Sequence, residues 1–261
     1  MLYYIGMLRS LVIMPTYMEK DNLPSVLEKV LADNATQVLV IDDNSPDGTA
    51  AFVETLMKTE PRVHLIKRPC KMGLGTAYIA GFKWGLANGY GCMIEMDSDL
   101  SHNPADLPRL ISEIEAGADL VIGSRYIGGT ISVIGWDFKR LLLSKFGNLY
   151  ASTLLGMKAS DITSGYRAYS RRALESVDLD AIHSEGYSFQ IEIAYMIHTL
   201  GLKLKEIPII FTERASGVSK MSKSIIREAA LLPWRIRLNR FKARLKSAPQ
   251  TKAVETKRRP E

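Results

Sequence analysis

The chain has two cysteines, Cys70 and Cys92, far apart and without C-x-x-C spacing. That excludes a disulfide framework and a cysteine zinc site, and it fits a reducing compartment. Four histidines are present, His64, His102, His183 and His198, none at metal-ligand spacing. No apolar run approaches the roughly 18 residues that mark a bilayer-spanning helix. The first residues carry short apolar pieces broken by Gly6 and Arg9. They lack the basic, apolar and small-residue regions of a secretory leader, so none is expected. The pattern G-x-x-x-x-G-K-[ST] of phosphate-binding loops is missing. Gly73-Leu74-Gly75 lacks the third glycine of a dinucleotide fingerprint and does not follow the first strand. No internal repeat appears.

What is present is an ordinary globular composition. Of 261 residues, 46% are hydrophobic and 24% charged, enough for one large α/β domain with an appendage. The net charge of +6 is unevenly placed. Residues 214–261 hold 14 Lys and Arg against 3 Asp and Glu, a net of +11, so residues 1–213 carry −5. A basic tail on an acidic body points to an anionic partner, either a nucleic acid or a membrane surface.

Apolar strands alternate with amphipathic helices. Leu11–Met14 and Val38–Ile41 read as the first two strands, 63–67, 92–96 and 119–122 as the next three, and 207–211 as a late one. Helices are expected from Leu23 to Leu31 behind Asp21 or Asn22, over 49–58, from Gly75 to about Ala87, and over 104–116. In the helix starting near Gly186, Phe189, Ile193, Met196, Ile197 and Leu200 form the apolar stripe, with Gln190 off it and Glu192 near its edge. Such alternation predicts a mostly parallel sheet flanked by helices. Ligands of such sheets bind outside the carboxyl ends of the strands. Four polar clusters fall there: Pro15-Thr16-Tyr17, Asp42-Asp43, Asp97-Ser98-Asp99 and Gly123-Ser124-Arg125-Tyr126.

The segment Glu95-Met96-Asp97-Ser98-Asp99-Leu100-Ser101-His102 is the most informative. Side chains two residues apart on a strand share a face, so Asp97 and Asp99 point the same way. Two carboxylates on one side repel unless a cation lies between them. A hard divalent ion such as Mg²⁺ or Mn²⁺ suits those oxygens. His102 is near enough to support them.

The second half adds Asp137-Phe138-Lys139-Arg140 with Ser144 at a helix start, and Asp161 through Arg167 as a polar turn into a short strand. Gly186 through Glu192 follows, and then Glu213 through Lys220. An unpaired carboxylate at Glu192 beside an apolar stripe would be costly.

Taken together these motifs resemble the family 2 glycosyltransferases with the GT-A fold, and within them the dolichyl- and polyprenyl-phosphate mannose synthases. Actinobacterial catalytic domains look closest. The resemblance spans about residues 10–225 and runs through Pro15-Thr16-Tyr17 with Glu19, Val40 through Thr49, Gly73 through Tyr78, Met96 through His102, Gly123 through Tyr126, Gly135 through Arg140, Ser164 through Arg167, Phe189 through Glu192, and Arg214 through Lys220. Ser98 stands where Ala is usual, and Ser101 where some members have a metal-contacting Gln.

The resemblance implies a GT-A, Rossmann-like sheet. It implies a metal-dependent, inverting transfer of mannose from GDP-mannose to polyprenyl phosphate, a product used in protein mannosylation and lipoglycan biosynthesis. Asp97 and Asp99 would hold Mg²⁺ or Mn²⁺. Pro15, Tyr17, Glu19, Asp42, Asp97 and Ser98 would bind the nucleotide sugar. Gln190 and Glu192 would contact sugar hydroxyls, and Arg214, Ser219 and Lys220 would close over the diphosphate. Arg125, Arg140 and Ser144 would hold the acceptor phosphate. That phosphate is mostly dianionic at pH 7, so no general base is required.

Three segments are expected: a catalytic domain over 1–221, a basic amphipathic helix over 222–246, and a disordered basic tail over 247–261. Trp234, Leu238, Phe241 and Leu245 share one helical face. Arg235, Arg237, Arg240, Lys242, Arg244 and Lys246 occupy the rest. Such a helix lies in a membrane interface. The expected location is the cytoplasmic face of a membrane, as a peripheral protein, with a membrane-anchoring protein as a further partner. No nucleic-acid motif accompanies the basic tail, so nucleic acid is not an expected partner. Competing readings are a polyprenyl-phosphate glucosyltransferase using UDP-glucose and a non-catalytic nucleotide-sugar-binding protein.

Overall fold

The computed structural model describes residues 8–33, 35–213 and 230–238. The body is a three-layer α/β domain. Its first half runs β1 (Ser10–Thr16), α1 (Leu23–Leu31), β2 (Thr36–Asp42), α2 (Thr49–Leu56), β3 (Val63–Lys67), α3 (Leu74–Ala87) and β4 (Cys92–Glu95). Then come α4 (Leu107–Glu115), β5 (Leu120–Ser124), β6 (Val133–Ile134), α5 (Phe138–Leu155), β7 (Arg167–Ser170), α6 (Arg171–Ser176), α7 (Gly186–Thr199), β8 (Leu204–Pro208) and β9 (Phe211–Thr212). Residues 230–238 are helical.

Seven strands form one sheet in the order β3-β2-β1-β4-β7-β5-β8, and β6 pairs with β9 in a small second sheet. The pairings are parallel except that β7 runs antiparallel to both β4 and β5. The central positions of β1, β2, β4 and β5 are apolar because both faces are covered, while Glu95 of β4 and Arg167 of β7 are buried charged exceptions. Leu11 and Ile13 of β1 face α3 and α7, whereas Val12 and Met14 face α1, α2 and α4. In α4, Leu107, Leu110 and Ile114 supply the buried stripe. Gly81 lets α3 approach closely: a Cβ there would lie 2.5 Å from Ile13 Cγ2.

Several elements differ from the sequence expectation. The late strand lies at 204–208, with a separate two-residue strand at 211–212; β5 ends at Ser124, whose carbonyl takes the bond from Ile209 N at 3.1 Å. The expected helix over 104–116 begins as a 3₁₀ turn over Pro104–Asp106, capped by Asn103. α7 is buried on nearly every side, Gln190 included, while Leu200 is exposed. It packs between the sheet and neighbouring helices rather than on the surface, so its stripe understates its burial. The helix at 230–238 docks on the domain through Leu232 and Ile236. Tyr150 Oη donates to Ala230 O at 2.9 Å and Arg237 Nη1 to Leu154 O at 3.1 Å, so it lies along α5. Phe241, Leu245 and the expected tail beyond them lie outside the described residues.

Candidate active site

The carboxyl ends of β1, β4 and β5 meet the amino end of antiparallel β7 along one sheet edge. A cavity of about 340 Å³ opens there. Pro15 near the end of β1 and Glu19 after it border the cavity, with Asp97, Ser98, Asp99 and His102 after β4, and Arg125 after β5. Thr163, Ser164 and Gly165 enter because β7 is inverted. Leu74 and Tyr78 of α3, Gly186, Tyr187 and Gln190 of α7, and Trp136, Arg140, Phe211 and Glu213 complete the wall. Three non-glycine residues adopt positive φ in the loops at this edge: Met18 at 61°, Asn44 at 56° and Leu100 at 62°. Such strain persists where surrounding contacts over-determine a loop, as at binding sites.

Local hydrogen bonds shape the carboxylate loop. Asp97 N donates to His102 Nδ1 at 3.1 Å, and Ser101 N donates to Asp99 Oδ1 at 3.0 Å. His102 is buried and stacked on Tyr166, ring centroids 4.8 Å apart. Asp97 and Asp99 therefore border the cavity from a fixed loop, and Ser101 Oγ is buried without a partner among the described residues. The donor set is all oxygen, which fits a hard divalent cation. No cluster of three or more His, Cys, Asp and Glu side chains gathers among the described residues. A cation held by two carboxylates keeps its other positions for water and phosphate oxygens.

The neighbouring loops are stapled partly by local bonds and partly by bonds between strand ends. Asp42 accepts from Ser45 Oγ at 2.6 Å, Ser45 N at 2.9 Å and Thr16 Oγ1 at 3.1 Å. It is buried and does not border the cavity. Asp43 forms a buried ion pair with Arg68, whose Nη2 lies 2.7 Å from Oδ2. Glu19 receives Asn22 Nδ2 at 2.9 Å, and Ser98 Oγ reaches Pro15 O at 3.4 Å. Tyr17 lies outside the wall with the Lys71 ammonium 4.3 Å over its ring.

On the other side the cations are held by distant partners. Arg125 makes a bidentate pair with buried Asp161, Nε to Oδ2 at 2.6 Å and Nη2 to Oδ1 at 2.7 Å. Burial pushes the Asp161 carboxyl up, but the charge and hydrogen bonds of Arg125 outweigh this and hold it below the ordinary carboxylate value. Rings of Trp136, Tyr126 and Phe211 surround the guanidinium at 5.3, 5.4 and 5.7 Å. Arg140 lies 4.2 Å over Trp136 and pairs with Glu213. The β6–β9 pairing makes that pair possible, and Gly135, at φ 93°, allows it. A Cβ at Gly135 would lie 2.8 Å from Glu213 Cβ. Ser144 accepts from Tyr126 Oη at 2.8 Å, behind the wall. Glu192 is half-buried, off the wall, with one carboxylate oxygen unpartnered among the described residues. Arg214, Ser219 and Lys220 lie outside the described residues.

Pattern reasoning gave no role to Trp136, Tyr187, Phe211 or Glu213. The signal for Trp136 was present in Gly135-Trp136-Asp137, next to a capped helix start. Phe211 and Glu213 enter only through the β6–β9 pairing. Glu95, at the end of β4, was likewise passed over. It is fully buried and accepts from Gln190 Nε2 at 2.6 Å and from Tyr169 Oη at 3.1 Å. Burial raises its carboxyl to about 7 against the opposing charge of Arg167.

Comparison with known proteins agrees with this geometry. Residues 11–178 match the family described as Glycosyl transferase family 2. The polyprenol monophosphomannose synthase of Mycolicibacterium smegmatis is 51% identical over 234 residues, 88% of this chain and 88% of that protein. The undecaprenyl-phosphate mannosyltransferase of Micrococcus luteus is 46% identical over 225 residues, 86% of this chain and 92% of its own. Among solved structures, glucosyl-3-phosphoglycerate synthase from Mycobacterium tuberculosis with phosphoglyceric acid superposes with a TM-score of 0.64 at 18% identity, covering 87% of this chain and 79% of that one. Its complex with Mn²⁺, UDP-glucose and phosphoglyceric acid gives 0.62 at 20% identity, with the same coverage. At such identity the likeness is one of fold. The motif-bearing loops, the cavity they enclose and the match over most of the sheet converge: the chain is an enzyme that belongs to glycosyl transferase family 2.

Proposed function

We propose that the chain transfers mannose from GDP-mannose to a polyprenyl phosphate, giving polyprenyl-phosphate-mannose and GDP with inversion. The observation that carries this reading is the 51% identity, over 88% of both chains, to an enzyme named for polyprenol monophosphomannose synthesis. The cavity fits it. Asp97 and Asp99 would hold Mg²⁺ or Mn²⁺, and a cation bound there neutralises charge on the departing diphosphate. Pro15 and Glu19 border the nucleotide side, and Tyr17 and Asp42 shape the loops behind it.

Arg125 and Arg140 would receive the acceptor phosphate. Asp161 fixes the Arg125 guanidinium before any ligand arrives, so little ordering cost remains. Among the described residues no hydrogen bond uses its Nη1. Arg140 is held by Glu213, and a dianionic phosphate would compete with that carboxylate. The attacking oxygen is already charged, so these residues need only place it.

The lipid would leave the cavity along α5. Phe138, Leu142, Phe146 and Leu149 lie on one helical face and are exposed, Phe138 by 71% and Phe146 by 68%. Lys139 and Lys145 flank them. The helix at 230–238 extends this face with exposed Leu231, Trp234 and Leu238, beside Arg235 and Arg237. Exposed apolar faces with basic rims seat in membrane interfaces. No described helix is long and apolar enough to cross a membrane. We read the protein as peripheral to a membrane through these faces, at its cytoplasmic side.

The test is one assay. Labelled GDP-mannose and UDP-glucose are each offered with polyprenyl phosphate and Mg²⁺ or Mn²⁺, and organic-phase product is counted. Mannose should transfer and EDTA should stop it reversibly. Transfer of glucose from UDP-glucose alone would overturn the donor assignment.

A further inference from the structure

Beneath the cavity floor lies a buried polar network that the reaction scheme above leaves unused. Glu95 and Arg167 are register partners on β4 and β7, and neither is exposed. Arg167 spends its guanidinium on three backbone carbonyls: Ser164 O at 2.6 Å, Ile162 O at 2.6 Å and Gln190 O at 2.7 Å. Its charge is left to face the Glu95 carboxylate. Glu95 takes Tyr169 Oη on one oxygen and Gln190 Nε2 on the other. Gln190 is thus gripped twice, by its carbonyl and by its side-chain amide, and is 2% exposed.

One atom of this arrangement has no partner among the described residues. Gln190 Oε1 is buried and accepts nothing, although Gln190 borders the cavity. Tyr78 Oη is in the same state, fully buried, unpartnered and on the same wall. A buried amide oxygen without a donor costs roughly 1–3 kcal/mol. An acceptor and a hydroxyl left open on one wall suit a ligand rich in hydroxyl groups.

We infer that Glu95 is a positioning residue for sugar recognition: by taking the Gln190 N–H it leaves Oε1 as the acceptor offered to a hydroxyl of the transferred hexose. This rests on the mannosyl-transfer reading. An amide presents a donor or an acceptor according to its flip, and only an external partner chooses. Both Glu95 oxygens are engaged as acceptors, one by Tyr169 Oη and the other by Gln190 Nε2, and this arrangement holds the Gln190 amide in one flip. A substrate hydroxyl that reaches Oε1 then meets an acceptor whose orientation is already fixed.

The test is a double-mutant cycle on the full-length protein, combining Glu95→Gln with Gln190→Leu. In the Glu95→Gln variant two amides could pair in either sense, so the flip is no longer dictated. Each single variant should lower kcat/KM for GDP-mannose roughly tenfold, the effect of about 1.4 kcal/mol, and leave the affinity for GDP itself within twofold. Discrimination between GDP-mannose and GDP-glucose, which differ at one hydroxyl, should narrow in both. The double variant should be no worse than Gln190→Leu, because Glu95 acts through Gln190. Glu95→Asp is the companion variant: it keeps a carboxylate beside Arg167 but draws it back from Gln190, and it should repeat the Glu95→Gln loss. Additive losses in an active, folded series, or equal loss of GDP affinity, would overturn the proposal alone. A wild-type protein that fails to transfer mannose would overturn the functional reading and the proposal with it.

Discussion

The two sides of the cavity are built differently. On the side proposed for the nucleotide, carboxylates are fixed largely by residues two or three positions away, Asp42 by Ser45, Asp47 by Thr49 and Asp99 by Ser101, with Thr16 and Arg68 reaching Asp42 and Asp43 from neighbouring strand ends. On the side proposed for the acceptor, cations are fixed by partners far along the chain. Arg125 and Asp161 are 36 residues apart, and Arg140 and Glu213 are 73 apart. The first side is built mainly from turns local to each strand end, tied to one another by Thr16–Asp42 and Asp43–Arg68 contacts between neighbouring strands. The second exists only once β7 is inserted and β6 has met β9. At the buried Arg125–Asp161 pair stability and chemistry are therefore coupled, whereas at Asp99 they are expected to separate.

The comparison breaks most visibly at Arg125. Arg125→Ala should cost about 3–5 kcal/mol of folding stability, since it strands a buried carboxylate. Denaturant unfolding measures it, and a loss under about 1 kcal/mol would show that Asp161 finds another partner. The same pair sets an acid dependence. Asp161 has a depressed pKa, so its stabilising contribution is present above the ordinary carboxylate value and is lost as pH falls through the depressed one. Asp161→Asn should remove that acid-side drop from the stability profile.

On the other side, chemistry should fall without stability. Asp99→Asn should cut transfer at least a hundredfold, about 2.7 kcal/mol, while the unfolding midpoint stays unchanged, because an amide oxygen still accepts from Ser101 N. Retention of more than about a tenth of the rate would remove Asp99 from the metal role.

Arg140→Ala sharpens the contrast within the acceptor side. Its pair with Glu213 is partly exposed, so stability should change by less than about 1 kcal/mol. Transfer should fall roughly tenfold, with GDP-mannose affinity by calorimetry within a few-fold. Parallel loss of donor affinity would move Arg140 to the donor.

The smallest effect is expected at the apolar face. Phe146→Glu should leave stability within about 0.5 kcal/mol, as exposed positions do. It should reduce liposome flotation several-fold and lower activity toward long polyprenyl phosphate in vesicles. A short, soluble acceptor should be used as before. Undiminished flotation would place the membrane contact elsewhere.

The residues most legible in the sequence were those whose geometry is local. Leu11–Met14, Val38–Ile41 and Cys92–Ile94 read as strands because each is a short apolar run ended by turn chemistry, and the structure places them as β1, β2 and β4. Asp97 and Asp99 were expected to share a face through the two-residue period of a strand, but β4 ends at Glu95 and both lie on the loop after it, so it is the loop that brings them to the cavity. The inverted β7 was not legible, since nothing in Arg167–Ser170 states its direction. Gln190 was read as lying off the apolar stripe, yet it is buried, because a helix packed on several sides hides polar residues that have partners.

The sequence by itself determined the alternation of strands and helices, the carboxylate pair at a strand end and the excess of basic charge after residue 213. These follow from side-chain period, turn chemistry and composition, which act over a few residues. Only the tertiary structure decided that Arg125 is committed to Asp161, that Glu95 holds Gln190, and that the apolar face of α5 looks outward. Periodicity says that a face is apolar but not what it covers, and an ion pair across 36 residues has no local signature. Both are settled by which strands become neighbours, and so by the packing of the whole sheet.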